Sequence, residues 1–362
     1  MRKYKRWSNF EIDFLKKNNM KDRLFLINKL ERGWRSIRTK IVELGLEYKP
    51  YRIYNLDTCF FEKPNIENSY WAGFIAADGY IRKDGKTLEI SISEKDSDLL
   101  LSFKKSIKYD GFIKKRKIKK GSDQVRLLIK CRKIIDDLKN NFNIVNNKSL
   151  ILKPPNIEGI NTLSYIKGYC DGDGSIKLNS RGKVAIDFNG TKNLLEWIRH
   201  IFKEINPNKI GKGLIHKQKS IYRWSLYGKN AEYFGNILKS TDTYHLKRKW
   251  EKIKTKKIHN VKDFTRGWIL GAFLPSLFIN NKFEVGIQRY KAEDIEARHI
   301  HKVAVEISVI VSGEVEMDGI RYKEDDIIYL EPGDSTDFKA ITDAIITVVK
   351  IPSVIGDKYL DG

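Results

Sequence analysis

Two stretches about 95 residues apart carry the most pointed chemistry in the chain. Tyr70-Trp71-Ala72-Gly73-Phe74-Ile75-Ala76-Ala77-Asp78-Gly79-Tyr80-Ile81 and Tyr165-Ile166-Lys167-Gly168-Tyr169-Cys170-Asp171-Gly172-Asp173-Gly174-Ser175-Ile176 read alike, each ending its apolar run on a carboxylate followed by glycine. Gly and Ala at spacings of three and four let two helix backbones approach closely. Packing through Gly73, Ala76, Ala77, Gly168 and Gly172 would bring Asp78 and Asp173 side by side. Two carboxylates at helix C-termini repel each other and the helix macrodipole, so the arrangement calls for a cation. A hard divalent ion such as Mg²⁺ supplies that charge.

The elements that must position these acids repeat as well. After the first stretch a hairpin turning at Lys83-Asp84-Gly85-Lys86 leads into alternating Leu88, Ile90 and Ile92; after the second, a hairpin near Ser180-Arg181-Gly182 leads into Val184, Ile186 and Phe188. Each is followed by an amphipathic helix (Ser97 to Ile107; Leu194 to Ile205), a second basic hairpin (Gly111 to Lys130; Ile210 to Tyr227) and a further helix (Ile134 to Phe142; Ala231 to Leu238). The predicted order is αββαββα, twice.

With those residues on the page, the two stretches resemble the paired signature helices of the LAGLIDADG homing endonucleases in their single-chain, two-repeat form, over roughly residues 60 to 258. The resemblance implies an α+β fold: two pseudo-symmetric repeats, about 66–150 and 160–258 within a core of 51–258, whose sheets form a basic saddle on double-stranded DNA. It implies a monomeric core that makes site-specific double-strand breaks with Mg²⁺. Asp78 and Asp173 would bind the metals and activate water for one strand each. Gly79 and Gly174 would end the helices beside the ions. Lys148 and Lys249 stand late in each repeat, where the family often has a basic residue that polarises water or phosphate; phosphate contact is the alternative role. Arg82, Lys83, Lys86, Lys177, Asn179, Arg181 and Lys183 would lie over bases and phosphates. The first stretch departs from the family at Ala76, where Asp is more usual. A non-cleaving nucleic-acid binder or an intron RNA maturase on the same core is the nearest alternative.

Charge supports a nucleic-acid partner. The 362 residues hold 69 Lys+Arg and 46 Asp+Glu, a net charge of +23. From Val261 onward the balance is 12 basic against 18 acidic, so the first 260 residues carry 57 against 28. A balance of +29 with interleaved aromatics (Trp7, Trp34, Tyr48, Tyr51, Tyr54) suits a polyphosphate, and the step marks a domain boundary. At 41% hydrophobic the chain has enough apolar material to fold, which excludes wholesale disorder. Three scattered cysteines exclude a disulfide framework, and no run approaches the ~18 apolar residues of a membrane span. A soluble, cytoplasmic protein without a membrane partner is expected.

Residues 1–50 read as a small helical domain. Ser8 can cap a first helix through Leu15, and Gly33 to Ile41 forms a third that gathers Arg35, Arg38 and Lys40 while Ile37, Ile41 and Leu44 face inward. This part resembles the Myb-like or helix-turn-helix modules that precede nucleases, implying a DNA-binding arm.

Residues 261–362 break into short β-rich runs, Glu284 to Tyr290, Val305 to Val311, Glu314 to Met317, Ile327 to Leu330 and Ile345 to Ile351, the spacing of a small antiparallel barrel. Within them His299, His301, Glu306 and Gly313 resemble the first motif of the cupins, implying an all-β barrel that can pair with a second copy. Two imidazoles and a carboxylate can converge there on a transition metal. The second cupin motif is partial: Asp326, Pro332, then Asp337 where the family usually has histidine. Asp337 would complete a two-histidine, two-carboxylate site; a metal-free barrel is equally open. A cupin enzyme or sensor carrying the endonuclease module upstream is therefore a further reading.

Overall fold

The computed structural model describes residues 6–19, 21, 23–47, 54–118, 121–205, 213–255 and 259–361. Tyr48, Tyr51 and the Ile210 start of the second basic hairpin lie outside them. The chain divides into two units, 1–56 and 57–362, so the first division falls after Leu56.

The first unit is three helices, α1 (Asn9–Asn18), α2 (Arg23–Leu30) and α3 (Trp34–Glu43). Ser8 caps α1 reciprocally with Glu11, satisfying backbone donors that the first helical turn leaves open. Leu15, Leu26, Leu30, Ile37 and Ile41 meet in its core. The Arg32 guanidinium grips the Glu11 carboxylate at 2.8 Å and holds its carboxyl down to about 2.

The second unit begins with two runs of the same element order. The first contains α4 (Ile66–Asp78), β1 (Gly79–Ile81), β2 (Thr87–Ser93), α5 (Ser97–Ser106), β3 (Lys114–Arg116), β4 (Gln124–Lys130) and α6 (Arg132–Phe142). The second contains α7 (Ile160–Gly172), β5 (Gly174–Leu178), β6 (Val184–Gly190), α8 (Lys192–Ile205), β7 (Ile215–Gln218), β8 (Ile221–Tyr227) and α9 (Lys229–Ser240), with a short turn of helix, α10 (Lys247–Trp250), behind it. Each run makes one four-stranded antiparallel sheet, ordered β1-β2-β4-β3 and β5-β6-β8-β7. Period-two alternation buries Leu88, Ile90 and Ile92 with Val125, Leu127 and Ile129, and amphipathic α5 and α6 contribute buried Leu99, Leu100, Phe103, Ile134, Ile135 and Leu138. The other face stays in solvent.

Beyond residue 267 the chain is all β: β9 (Trp268–Gly271), β10 (Phe278–Ile279), β11 (Glu284–Tyr290), β12 (Ile295–Ile300), β13 (Val305–Ser312), β14 (Glu314–Met317), β15 (Ile320–Lys323), β16 (Ile327–Leu330), β17 (Ser335–Ala340), β18 (Ala344–Ile351) and β19 (Tyr359–Leu360). They form two sheets, β10-β9-β11-β18-β13-β16 and β15-β14-β17-β12-β19. The chain alternates between β11-β18-β13-β16 and β15-β14-β17-β12, the winding of a double-stranded β-helix, around Ile310, Val315, Met317, Phe338 and Ile346. This barrel is joined to the preceding run at Thr241, which bridges to Ile279, and by Lys282 on Asp242 at 2.7 Å. No helix among the described residues is long and apolar enough to cross a membrane.

Candidate functional site

The crossing of α4 and α7 positions the two acids. Asn65 and Asn68 cap the start of α4 reciprocally, and Ile66, Asn68 to Ala76 and Thr162 to Asp171 are buried. A Cβ added to Gly73 would lie 2.0 Å from the Tyr165 carbonyl oxygen, and one added to Gly168 would lie 1.9 Å from that of Tyr70. The backbones therefore touch, as the small-residue spacing predicts. At the same end, a Cβ on Gly172 would sit 3.4 Å from the Asp78 carboxyl carbon, which places Asp78 against the last turn of α7, one residue from Asp173. Both side chains reach solvent in a crowded setting. Partial burial and the charge of Asp173 push the Asp78 carboxyl up to about 6, and burial also raises that of Asp173.

Lys148 and Lys249 flank this pair from beneath. The Lys148 ammonium donates to the carbonyls of Gly79 (2.5 Å) and Ala77 (3.3 Å). Lys249 donates to those of Cys170, Asp171, Gly172 and Gly174 at 2.6–3.3 Å. Burial lowers the pKa of both. They cap the helix ends, where backbone carbonyls lack partners, and their ammoniums also engage Gly79 and Gly174 oxygens. Among the described residues neither Asp78 nor Asp173 is in an ion pair, while the Lys148 and Lys249 charges nearby favour the ionised form of both. The two carboxylates are oxygen donors of the kind a hard divalent ion takes, with no third His, Cys, Asp or Glu side chain placed beside them among the described residues.

The two ends differ. Buried Asp171 accepts from Tyr70 Oη and Trp250 Nε1, both at 2.7 Å, and from the Leu246 backbone at 3.1 Å, tying down the turn that carries Lys249. In the first stretch Ala76 takes the corresponding place, and buried Tyr165 Oη, the counterpart of Tyr70 Oη, has no hydrogen-bond partner among the described residues. Sequence reasoning treated Asp171 as part of a motif and missed this anchoring; a carboxylate two residues before Asp173, with only Ala at the matching site, was the available signal.

The hairpin residues fall on or beside the solvent faces of the sheets. Lys83, Lys86, Arg181 and Lys183 are exposed. Arg82 is engaged by Glu89 at 2.7 Å and Lys177 by Asp187 at 3.6 Å, while Asn179 accepts from the backbones of Arg181 and Lys183 and so shapes its turn. The same faces carry Lys114, Arg116, Arg126 and Lys130 in the first sheet and His216 and Arg223 in the second, which motif reading missed and strand alternation would have found. In the helical unit Arg35 and Arg38 are exposed, and Lys40 pairs with Glu43 at 2.5 Å.

The barrel encloses a cavity of about 410 Å³ between its sheets. His299, His301 and Glu306 line it. Burial lowers the pKa of His299. Against the opposing effect of burial, His301 and Lys350 hold the Glu306 carboxyl down to about 2. Asp337 corrects the expectation: it lies outside the cavity, receiving Arg298 and the Asp318 backbone N–H. Along β17 Thr336, Phe338 and Ala340 point inward, so period two sends Asp337 out with Ser335 and Lys339. The Lys350 ammonium, which sequence reasoning missed, lies 3.0 Å from His301 Nε2 and 3.3 Å from Glu306. Among the described residues no three His, Cys, Asp or Glu side chains are placed to hold one metal ion. With the Lys350 ammonium seated against His301 and Glu306, the barrel's donor set as it stands does not fit a transition metal.

No protein-family model and no curated protein matches the chain. Among solved structures it is similar to a Klebsiella pneumoniae protein with a double-stranded beta-helix domain, at 21% identity over 29% of this chain and 90% of that one, with a TM-score of 0.24. It is also similar to KdgF from Halomonas sp., at 16% identity over 21% of this chain and 74% of that one, TM-score 0.20. A cupin-superfamily sugar phosphate isomerase from Silicibacter pomeroyi matches at 20% identity over 21% of this chain and 53% of that one, TM-score 0.20.

Proposed function

We propose that the chain is a double-strand DNA endonuclease of the LAGLIDADG kind. The observation that carries the reading is the backbone-to-backbone crossing of α4 and α7, which sets Asp78 and Asp173 together between two antiparallel sheets with basic solvent faces. Asp78 and Asp173 would hold Mg²⁺, which when bound supplies Lewis acidity toward phosphate and lowers the pKa of water. Lys148 and Lys249 offset the negative helix ends and fix the carbonyls from which each acid springs. Lys83, Lys86, Lys114, Lys130, Arg181 and Lys183 would bind phosphates and orient the duplex, and Arg126 and Arg223, on the solvent-facing registers of β4 and β8, would read base edges. The exposed Arg35 and Arg38 of the helical unit add a second basic contact.

The test is cleavage of a randomised plasmid library with Mg²⁺, against an EDTA control, followed by sequencing of the ends. Wild-type protein should linearise a subset of plasmids; Asp78→Asn and Asp173→Asn should each yield nicked circles, and the double variant should retain DNA affinity without cutting. A double variant that still cuts would overturn the assignment. The barrel cavity supports a second reading, a cupin-type enzyme or sensor with the two-repeat core attached. Binding of library DNA with no cleavage under any divalent ion would favour that reading or a maturase over the nuclease.

A further inference from the structure

We infer that Lys350 is a built-in cation that fills the place between His301 and Glu306 and makes the barrel cavity a metal-independent pocket for an organic molecule. Strand register sets the lysine there. On β18, Lys350 stands opposite Glu284 of β11 on one side and opposite Glu306 of β13 on the other, so both neighbouring strands present a carboxylate to it. His301, just past β12, closes a triangle: its Nε2 lies 3.0 Å from the Lys350 ammonium and 3.2 Å from Glu306, which lies 3.3 Å from the ammonium.

The orientation of His301 is fixed from behind. Its Nδ1–H donates to the carbonyl of Asp357, whose carboxylate accepts the backbone N–H groups of Lys302, Val303 and Ala304 at 2.8–3.1 Å. Nε2 is thereby aimed at the ammonium. The Lys350 side chain is 14% exposed and its ammonium lies 5.1 Å from the centroid of the Trp268 ring, so it is held on three sides. A metal taking the His301 nitrogen and the Glu306 oxygen would have to expel that charge from a buried pair, and removal of one partner from such a pair is strongly unfavourable. Asp337, which would have supplied a fourth ligand, faces out. What remains open to a ligand is the wall of Trp268, Phe273, Met317 and Phe338, with Gln288 and His299 as polar contacts.

The test uses the full chain in an Asp78→Asn/Asp173→Asn background, so that the acids of the helix crossing contribute no metal. Protein stripped with EDTA is dialysed against Zn²⁺ or Co²⁺, and bound metal is measured by elemental analysis and Co²⁺ absorption. The background protein and its Lys350→Arg derivative should bind no tight ion. Lys350→Met should take up about one ion per chain, lost again in Lys350→Met/His301→Ala. Lys350→Gln serves in its place should Lys350→Met fail to fold by near-UV circular dichroism. A tight ion in the background protein that His301→Ala abolishes overturns the inference, as does a folded Lys350→Met or Lys350→Gln that gains none.

Discussion

Asp78 is the residue on which pH has the clearest purchase. Its carboxyl is pushed up to about 6 by partial burial and by Asp173, whereas in the unfolded chain it titrates near 4. The folded protein therefore holds this proton more tightly than the unfolded one, and its contribution to stability falls as pH rises between about 4 and about 6. Thermal melts in EDTA should show Tm decreasing across that window, with the decrease reduced in Asp78→Asn. Added Mg²⁺ should raise Tm more at pH 7 than at pH 5, since protonated Asp78 is a poor ligand; an equal rise at both would remove Asp78 from the metal site. The paired tyrosines give a second residue-level contrast. Tyr165→Phe deletes a buried hydroxyl that has no partner and should stabilise the fold by about 1 kcal/mol, whereas Tyr70→Phe strips a donor from buried Asp171 and should cost about 1–3 kcal/mol. Urea denaturation midpoints separate the two; equal effects would mean that the halves are not energetically distinct.

At the scale of elements, everything depends on how closely α4 and α7 cross. Gly73→Ala and Gly168→Ala each place a methyl within 2.0 Å of a carbonyl oxygen on the opposite helix, where only backbone could yield. Each should cost about 3 kcal/mol, and the two together should add less than their sum because one displacement relieves both. Denaturation midpoints measure this, with the exposed-turn variant Gly85→Ala as a comparison that changes a positive-φ position instead. This crossing was legible in the sequence because small residues at helical spacing have few other uses, and strong alternation made β11, β14 and β16 legible to their observed ends. The barrel site was legible only in part. Its β12 and β17 are mixed in polarity, so motif spacing alone put Asp337 in the site while the alternation of Thr336, Phe338 and Ala340 sends it out. Lys350 escaped notice because a lysine at a strand end reads as solvent-facing; its role arises from register with Glu284 and Glu306, which no local pattern contains.

Across the whole molecule, charge is divided by architecture. The first 260 residues carry the +29 balance and the barrel region is net acidic, so any polyanion is drawn to the two-repeat core and the helical unit. The basic groups there are in part already committed: Arg82 and Arg126 to Glu89, Lys177 to Asp187, Lys115 to Glu94. Those pairs orient side chains over the sheet faces, and the exposed lysines beside them supply counterion release on binding. If roughly 6–10 phosphates are neutralised, duplex affinity should fall by about 10³–10⁵ between about 50 and about 200 mM salt. Lys114→Ala and Lys130→Ala should each reduce the slope of log affinity against log salt by about 1 while leaving the preferred sequence unchanged, and Arg126→Ala should relax sequence preference. Fluorescence anisotropy on a fixed duplex across salt, repeated on a sequence panel, reads both quantities. A salt slope untouched by the lysine substitutions would place the nucleic acid elsewhere than on these sheet faces, and with it the acids of the helix crossing would lose the substrate proposed for them.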